Sequence, residues 1–221
     1  RKVLPLRAAC AVVAKFLLAL EAIHPDVDRM AALKTMLRSG AAGDAELNEL
    51  QRIQEEAWLH RDIKPANLML AMPTFEPKLI DFNIASKYVD ASGIVGTPRY
   101  WAPDCGMPDW QPHHDLFSLG VVFYELVLHQ HPYASDKPGN GPPLHPYDLP
   151  HGRALSRAFA DFLHKAVQPD GARRFQSARA MREAGDGTFP ARLRHADGHV
   201  VEVEASLRRV HSHDAEFLLL L

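Results

Sequence analysis

Apolar residues recur at helical spacing over most of the chain up to residue 184, which predicts a mainly helical domain. The first such segment is expected to end at His24-Pro25, because the residue before a proline is pushed out of helical geometry. Residues 115–128 are apolar on nearly every side, as is typical of a helix buried at the centre of a domain. The predicted helices span residues 7–23, about 28–38, 44–57, 115–128, 154–167 and 176–184.

Strand patterns occupy two further stretches of the chain. Residues 66–80 predict two short strands around a turn at Pro73. Residues 191–207 alternate apolar and polar side chains around an Asp-Gly pair at 197–198, which is a strong hairpin signal. The other predicted segments are a third apolar strand at 217–221 and loops rich in glycine, proline and polar residues at 81–112 and 132–152.

The composition fits one folded domain with a short extension. The chain has 221 residues, of which 47% are hydrophobic, so it can bury a core and is not wholly disordered. Its net charge of −2 argues against a nucleic-acid partner bound through bulk charge. Two cysteines, Cys10 and Cys105, are too few for a disulfide framework and indicate a cytoplasmic protein. Lys15 closes the apolar run at residues 8–14, so no membrane span is expected.

Two short motifs carry most of the chemical information. Residues 60–67 read HRDIKPAN, and residues 81–83 read DFN. Phosphoryl transfer to a hydroxyl requires a carboxylate that receives the proton, oxygen ligands for Mg²⁺, and a positive charge near the migrating phosphoryl group. The residues that supply this set are Asp62, Asn67, Asp81 and Lys64.

These motifs resemble the catalytic loop and the magnesium-binding motif of protein kinases. Residues 96–104 (GTPRYWAPD) are similar to the segment that closes a kinase activation loop, and residues 115–120 (DLFSLG) to the start of the central kinase helix. Residues 131–133 (HPY) and Arg174 match a turn and a late arginine of kinases. The resemblance implies an α+β, protein-kinase-like fold with a mainly helical C-lobe, here followed by a C-terminal antiparallel β-hairpin extension.

The resemblance implies a role for each matching residue at the reaction centre. Asp62 would be the catalytic base, Lys64 would steady the transferred phosphate, and Thr97 would brace Asp62. The cofactors implied are ATP and Mg²⁺. The cofactor-binding residues would be Met69 beneath the adenine ring, and Asn67 and Asp81 as ligands of Mg²⁺.

Other matching residues would have structural or regulatory roles. His60 and Phe82 would stack in the internal hydrophobic spine, and Asp115 would hold the catalytic loop through backbone hydrogen bonds. Asp104 would form an ion pair with Arg174.

The resemblance also implies a regulatory arginine. Arg61 would clamp a phosphorylated residue of the activation loop, for which Ser86, Ser92 and Tyr88 are the candidates. A phosphate there would order the loop through charge-assisted hydrogen bonds to the guanidinium group.

The chain departs from the family pattern before the catalytic loop. Gly40 and Gly43 are the only glycines before His60, so the sequence contains no G-x-G-x-x-G of a kinase N-terminal lobe. Lys15 follows Val-Val-Ala as the strand lysine of that lobe would, but its helical context favours an exposed helix position. We interpret residues 25–58 as a helical insertion and the N-terminal lobe as missing, and we therefore expect weak or no activity.

With its insertion and the variants DFN and APD, the chain looks like the bacterial serine/threonine kinases that are attached to multidomain phage-defence proteins, including NERD-associated ones. Residues 189–203 look like the last hairpin of a PAS sensor domain, and a generic amphipathic hairpin is the alternative. The predicted domains are a partial kinase domain at 1–184 and a β-hairpin extension at 185–221. The histidines predicted to be solvated rather than metal ligands are His113 and His114, His129 and His131, and His211 and His213.

These residues together predict a protein serine/threonine kinase catalytic lobe that transfers the γ-phosphate of ATP to a protein substrate. A further partner domain would supply the missing lobe, whereas neither nucleic acid nor a membrane is expected as a partner. One alternative is a non-catalytic kinase-like interaction module, which the presence of two metal ligands and a base disfavours. The other is a fragment of a PAS-regulated sensor kinase.

Overall fold

A computed structural model describes residues 5–71, 76–105, 109–135, 137–185, 189–194 and 200–205. All six predicted helices are confirmed, with shifts of a few residues at their ends. None of the described helices is both long enough and apolar enough to cross a membrane. The helices are α1 (Leu6–Ile23), α2 (Val27–Arg38), α3 (Asp44–Glu56), α4 (Pro112–Leu128), α5 (Arg157–Ala166) and α6 (Ala178–Ala184).

Helix α4 lies at the centre of the main hydrophobic core. It begins at Pro112, three residues before its predicted start, because a proline is well tolerated in the first helical turn. Its aromatic residue Phe123 packs edge-on against Phe159 of α5, with ring centroids 5.7 Å apart. Helix α1 packs on α4 and α6, and Glu21 of α1 binds Arg182 of α6 at 3.1 Å. The core therefore forms around one helix that is buried on nearly all sides.

The strands form three separate antiparallel pairs. Strand β1 (Trp58–Leu59) pairs with β4 (Ser86–Lys87), and β2 (Leu68–Ala71) pairs with β3 (Glu76–Leu79). Strand β5 (Phe189–Arg194) pairs with β6 (Val200–Ala205). The predicted turns at Pro73 and 197–198 and the predicted third strand at 217–221 lie outside the described residues.

Helices α2 and α3, in the segment predicted to be an insertion, form a helical pair with a small core of its own. Met30, Leu33 and Leu50 are buried in this second hydrophobic cluster, which is distinct from the main core. Arg29 and Glu49 also join the two helices through a bidentate ion pair, with distances of 2.8 and 2.6 Å. This segment is therefore a folded helical pair rather than a long loop.

In their described residues, the two predicted loops contain only short regular elements. The first holds strand β4 and two 3₁₀ turns, at Tyr88–Asp90 and Pro98–Tyr100. The second holds 3₁₀ turns at Pro146–Asp148 and Gly152–Ala154.

Candidate active site

The loop at residues 60–67 is fixed by a buried carboxylate at the start of α4. Asp115 is 1% exposed, and its two oxygens accept the backbone N–H groups of His60 and Arg61, each at 2.8 Å. The imidazole Nε2 of His24, the residue after α1, lies 3.1 Å from Asp115 Oδ2. Burial acts to raise the pKa of Asp115, but the contacts with His24 and His60 outweigh it and lower that pKa. The side chain is therefore an ionised anchor for the loop.

Asp62 lies at the centre of a hydrogen-bonded group of polar side chains. Thr97 donates its hydroxyl to Asp62 Oδ1 at 2.7 Å, and Lys64 Nζ lies 2.6 Å from Asp62 Oδ2. Asn67 Nδ2 donates to the same Oδ2 at 3.1 Å and to the backbone oxygen of Asp62 at 2.8 Å. Partial burial acts to raise the pKa of Asp62, but the bonds from Lys64 and Thr97 prevail and lower it. Asp62 is thus a fixed, ionised proton acceptor at neutral pH.

Asn67 and Asp81 have the donor chemistry that Mg²⁺ prefers. Among the described residues, Asn67 makes its side-chain hydrogen bonds through Nδ2, which leaves the amide oxygen available as a ligand. The backbone N–H of Ile80 donates to Asn67 O at 3.1 Å, which places Asp81 beside the loop with an exposed carboxylate. An amide oxygen and a carboxylate fit Mg²⁺, which takes oxygen ligands and keeps part of its water shell.

Two non-glycine residues at this centre adopt left-handed backbone conformations. The φ angles are 69° at Arg61 and 62° at Asp81. Such conformations cost roughly 1–3 kcal/mol each and persist where surrounding contacts determine them, often at functional sites. The adjacent segment also approaches closely, since a Cβ atom at Gly96 would overlap the backbone oxygen of Arg61. Gly96 is therefore needed to bring Thr97 to Asp62.

The residues predicted to form the spine and the adenine floor lie beside the same loop. The rings of His60 and Phe82 meet edge-on with centroids 4.8 Å apart, and His60 Nε2 lies 3.0 Å from Ile80 O. Phe82 is 45% exposed and Met69, on β2, is 53% exposed. Met69, Ile80 and Phe82 therefore leave an apolar surface beside the polar centre.

Arg61 contacts the segment that was predicted to carry a phosphate. We call residues 81–104 the activation segment. Arg61 donates to Ser86 Oγ at 3.1 Å and to the backbone oxygen of Ser92, and its guanidinium lies over the ring of Trp110. Of the three candidate phosphorylation sites, Ser92 is exposed, whereas Ser86 and Tyr88 are partly buried.

Arg174 and Asp104 form the predicted ion pair at the end of the activation segment. Arg174 is 3% exposed and also donates to Pro169 O at 3.1 Å. Burial acts to raise the pKa of Asp104, but Arg174 outweighs it and holds that pKa low. The shorter aspartate side chain thus reaches its partner.

The prediction that the paired histidines are solvated is wrong for His114 and His131. His114 is 2% exposed and His131 is 4% exposed. The reason is that His114 lies in the first turn of α4 and accepts the backbone N–H of Gln111 at 2.9 Å. His131 Nε2 lies 3.0 Å from the backbone oxygen of Arg99. His211 and His213 lie outside the described residues.

Among the described residues, one group has the proximity of metal ligands: Asp104, His113 and His114 offer atoms within 4.8 Å of one another. Two features oppose metal binding there. Arg174 already neutralises Asp104, and the Gln111 N–H on His114 Nδ1 places the imidazole proton on Nε2, the nitrogen that faces Asp104. The group is better explained as a structural ion pair flanked by neutral histidines.

Sequence patterns predicted the candidate site residues but not all of the contacts that hold them in place. The contact of His24 with Asp115 was not predicted, although His24 was seen to end α1. The only available signal was a histidine directly before a proline, which indicates a helix end and no partner. The contact depends on the packing of α1 on α4.

Comparison with known proteins identifies the family to which this chain belongs. The protein kinase domain family matches residues 47–184, and the chain belongs to that family.

Several curated serine/threonine kinases share parts of this sequence. The chain is 40% identical over 94 residues to the serine/threonine-protein kinase PknA of Mycobacterium tuberculosis (39% of this chain, 21% of that protein). It is 31% identical over 137 residues to pakA of Talaromyces marneffei (56% of this chain, 21% of that protein) and to ste20 of Aspergillus fumigatus (56% of this chain, 16% of that protein). The chain thus spans about a fifth or less of the length of these relatives.

Proposed function

We propose that this chain is the catalytic lobe of a protein serine/threonine kinase that transfers the γ-phosphate of ATP to a protein hydroxyl. The observation that carries the proposal is the fixed carboxylate of Asp62, bound by Lys64, Thr97 and Asn67. A carboxylate with a lowered pKa is a weak base, which suits phosphoryl transfer because that reaction demands positioning more than base strength.

Each residue then has a defined task. Asp62 accepts the proton of the substrate hydroxyl, and Thr97 fixes the direction of the accepting oxygen. Lys64, 2.6 Å from Asp62, sets a positive charge where the transferred phosphoryl group arrives. Asn67 and Asp81 would hold Mg²⁺, which neutralises charge on the phosphate oxygens when bound.

We propose further that these 221 residues alone turn over ATP slowly or not at all. Met69 and its surroundings would form only one wall of the adenine site. The sequence also contains no G-x-G-x-x-G loop to cover the phosphates of ATP. The exposed Met69, Ile80 and Phe82 form a surface on which a partner domain could complete the nucleotide site. The proposed domain division is a kinase domain over 1–184, with the insertion at about 25–58, and an extension over 185–221.

We assign the kinase to the bacterial type, and the identity to PknA over 94 residues supports that assignment. Attachment to a multidomain phage-defence protein and a PAS-like character of the extension stay proposals. The sequence of the gene around this chain would decide both, because it would show which domains adjoin residues 1 and 221.

Calorimetric titration of a non-hydrolysable ATP analogue, with and without Mg²⁺, tests the metal–nucleotide site. The wild-type chain should bind in a magnesium-dependent manner, and Asp81→Asn should lose that dependence. Asp90→Asn is the matched control, because Asp90 is an exposed carboxylate of the same segment and no metal role is assigned to it. Circular dichroism of the three proteins would verify that they are equally folded.

The outcomes of the titration separate the proposals. Loss of binding in Asp81→Asn but not in Asp90→Asn supports a working nucleotide site. No binding by any of the three would contradict nucleotide binding by this lobe alone and favour the kinase-like interaction module.

A further inference from the structure

One activation-segment residue packs against both hydrophobic cores of the molecule. Tyr88 contacts the main core and also the insertion cluster of Met30, Leu33 and Leu50. No other hydrophobic residue of the described chain is packed against both clusters. Tyr88 is therefore the apolar link between the insertion and the rest of the lobe.

Polar contacts fix the same residue from two sides. The backbone N–H of Tyr88 donates to Ala57 O, directly after α3, at 2.9 Å. Its hydroxyl donates to Gln111 Oε1, directly before α4, at 3.0 Å. Burial raises the pKa of Tyr88, so the phenol stays protonated and keeps this donor at neutral pH. Next to it, Lys87 Nζ donates to Glu55 O at 2.7 Å.

The segment held in this way in turn occupies Arg61 of the catalytic loop. Arg61 donates to Ser86 Oγ on β4 and to the backbone oxygen of Ser92. Ser86 lies two residues before Tyr88, and Ser92 lies four residues after it. Trp110 supports the same segment, since its indole N–H donates to Gly93 O at 2.6 Å. The guanidinium thus binds neutral oxygens of the activation segment.

We propose that the α2–α3 insertion positions the activation segment, with Tyr88 as the positioning residue, so that Arg61 and the catalytic loop are ordered without phosphorylation of that segment. Kinases that use a phosphate order this segment by charge-assisted bonds to an arginine. Here the insertion provides packing and hydrogen bonds in place of that charge. Tyr88 acts as an anchor in this arrangement and is not a phosphate acceptor.

Amide hydrogen exchange, resolved by residue in the full chain, tests this proposal directly. Tyr88→Ala and Leu33→Ala should each speed exchange at residues 86–93 by about tenfold, while the amides of α4 keep their rates. Leu33 is the stricter test because it lies in the insertion and not in the activation segment. Tyr88→Phe keeps the ring and loses the bond to Gln111, so its effect should be smaller, about threefold.

Val89→Ala is the matched control, because Val89 adjoins Tyr88 but is 53% exposed. It should leave exchange unchanged at residues 86–93. Unchanged exchange in Leu33→Ala would overturn the proposal, since the insertion would then not hold the segment. Equal acceleration at residues 86–93 and in α4 would also overturn it, because Tyr88 and Leu33 would then be ordinary core residues.

The consequence for turnover rests on the proposed function, whereas the exchange experiment does not. In a complex with phosphotransfer activity, treatment with a protein phosphatase should leave the rate of the wild type unchanged. Tyr88→Phe should keep most of that rate, and Leu33→Ala should lower kcat more than it changes KM. A phosphatase-sensitive wild-type rate would contradict the proposal even where the exchange results agree. If the chain showed no turnover in a complex with a domain that supplies the missing lobe, only the proposed function would be contradicted.

Discussion

The carboxylate of Asp62 accepts hydrogen bonds from a hydroxyl, an ammonium group and an amide. Such bonds fix the direction of an oxygen as well as its charge, because each donor occupies a different lone pair. The lowered pKa of Asp62 is thus a measurable sign of the positioning itself.

Removing the Thr97 hydroxyl should raise the pKa of Asp62 toward its ordinary value. Thr97→Ala deletes the 2.7 Å donor to Oδ1, whereas Thr97→Ser keeps a hydroxyl at the same place. Titration of the Asp62 carboxyl by carbon-detected NMR would measure the change. If Thr97→Ala and Thr97→Ser titrated alike, the hydroxyl would have no part in setting this pKa.

The buried guanidinium of Arg174 should contribute strongly to stability. Arg174→Ala removes the partner of Asp104 and the bond to Pro169 O, and it should lower the free energy of unfolding by about 3 kcal/mol. Arg174→Lys keeps the charge but not the fork of donors, so it should recover only part of that loss. Urea unfolding measures both. Full recovery by lysine would show that a point charge suffices.

At the scale of single residues, sequence reasoning selected the candidate site residues that the structure brings together at one loop, and it missed residues that connect distant elements. Asp62, Asn67 and Asp81 lie in motifs whose spacing follows from one loop and one hairpin. His24, Tyr88 and His114 owe their surroundings to contacts between distant elements, and a single sequence carries no pattern for these.

Between elements, α4 packs closely on α5 at Gly120. A Cβ atom at Gly120 would lie 2.9 Å from Ala166 Cβ and 3.0 Å from Ala166 O. Helix α4 can therefore pack this tightly on α5 only with glycine at that position. This contact explains a glycine in the middle of a helix, where it is otherwise unfavourable.

Gly120→Ala should destabilise the protein by about 1–3 kcal/mol through overpacking. Helix propensity alone predicts the opposite, a gain of about 1 kcal/mol. Adding Ala166→Gly should restore part of the loss, because it removes the facing Cβ but leaves the backbone oxygen. Thermal unfolding of the single and double variants decides between these expectations, and a stabilised Gly120→Ala would disprove the tight contact.

Helical periodicity predicted all six helices. Helix α4 is apolar on every face, and each of the others has a single apolar face. The start of α4 was placed three residues late because its first turn, Pro112 to His114, lacks apolar residues. Strand β4, in the predicted loop at 81–112, was not predicted, because two residues are too few to show a strand periodicity.

For the molecule as a whole, the buried histidine His114 contributes to the response to acid. Burial, and then the neighbouring His113, lower the pKa of His114 to about 4, from 6.5 for a solvated histidine. Between these two pH values the unfolded chain binds a proton at His114 that the folded protein does not. Stability must therefore fall as pH decreases from about 6.5 to about 4.

Protonation of His114 should lower the free energy of unfolding by about 2 to 3 kcal/mol as the pH falls across that range. His114→Gln should reduce the slope, because glutamine does not titrate and can still accept the Gln111 N–H. His129→Gln is a control, since His129 is exposed and lies outside this cluster. Free energies of unfolding in urea at pH 7, 6, 5 and 4 give the slopes, and equal slopes for all three proteins would refute the assignment to His114.

The path of the chain around Asp115 has a consequence for how this lobe can change over evolution. His24 ends α1 and His60 begins the catalytic loop, yet both contact the same oxygen of Asp115. The 35 residues between them therefore form a segment whose two ends are both held by Asp115. Loop-closure entropy grows only slowly with loop length, so such an excursion can lengthen, shorten or be exchanged without displacing the catalytic loop. A regulatory element can therefore be acquired at this point of the fold while the reacting groups stay in place.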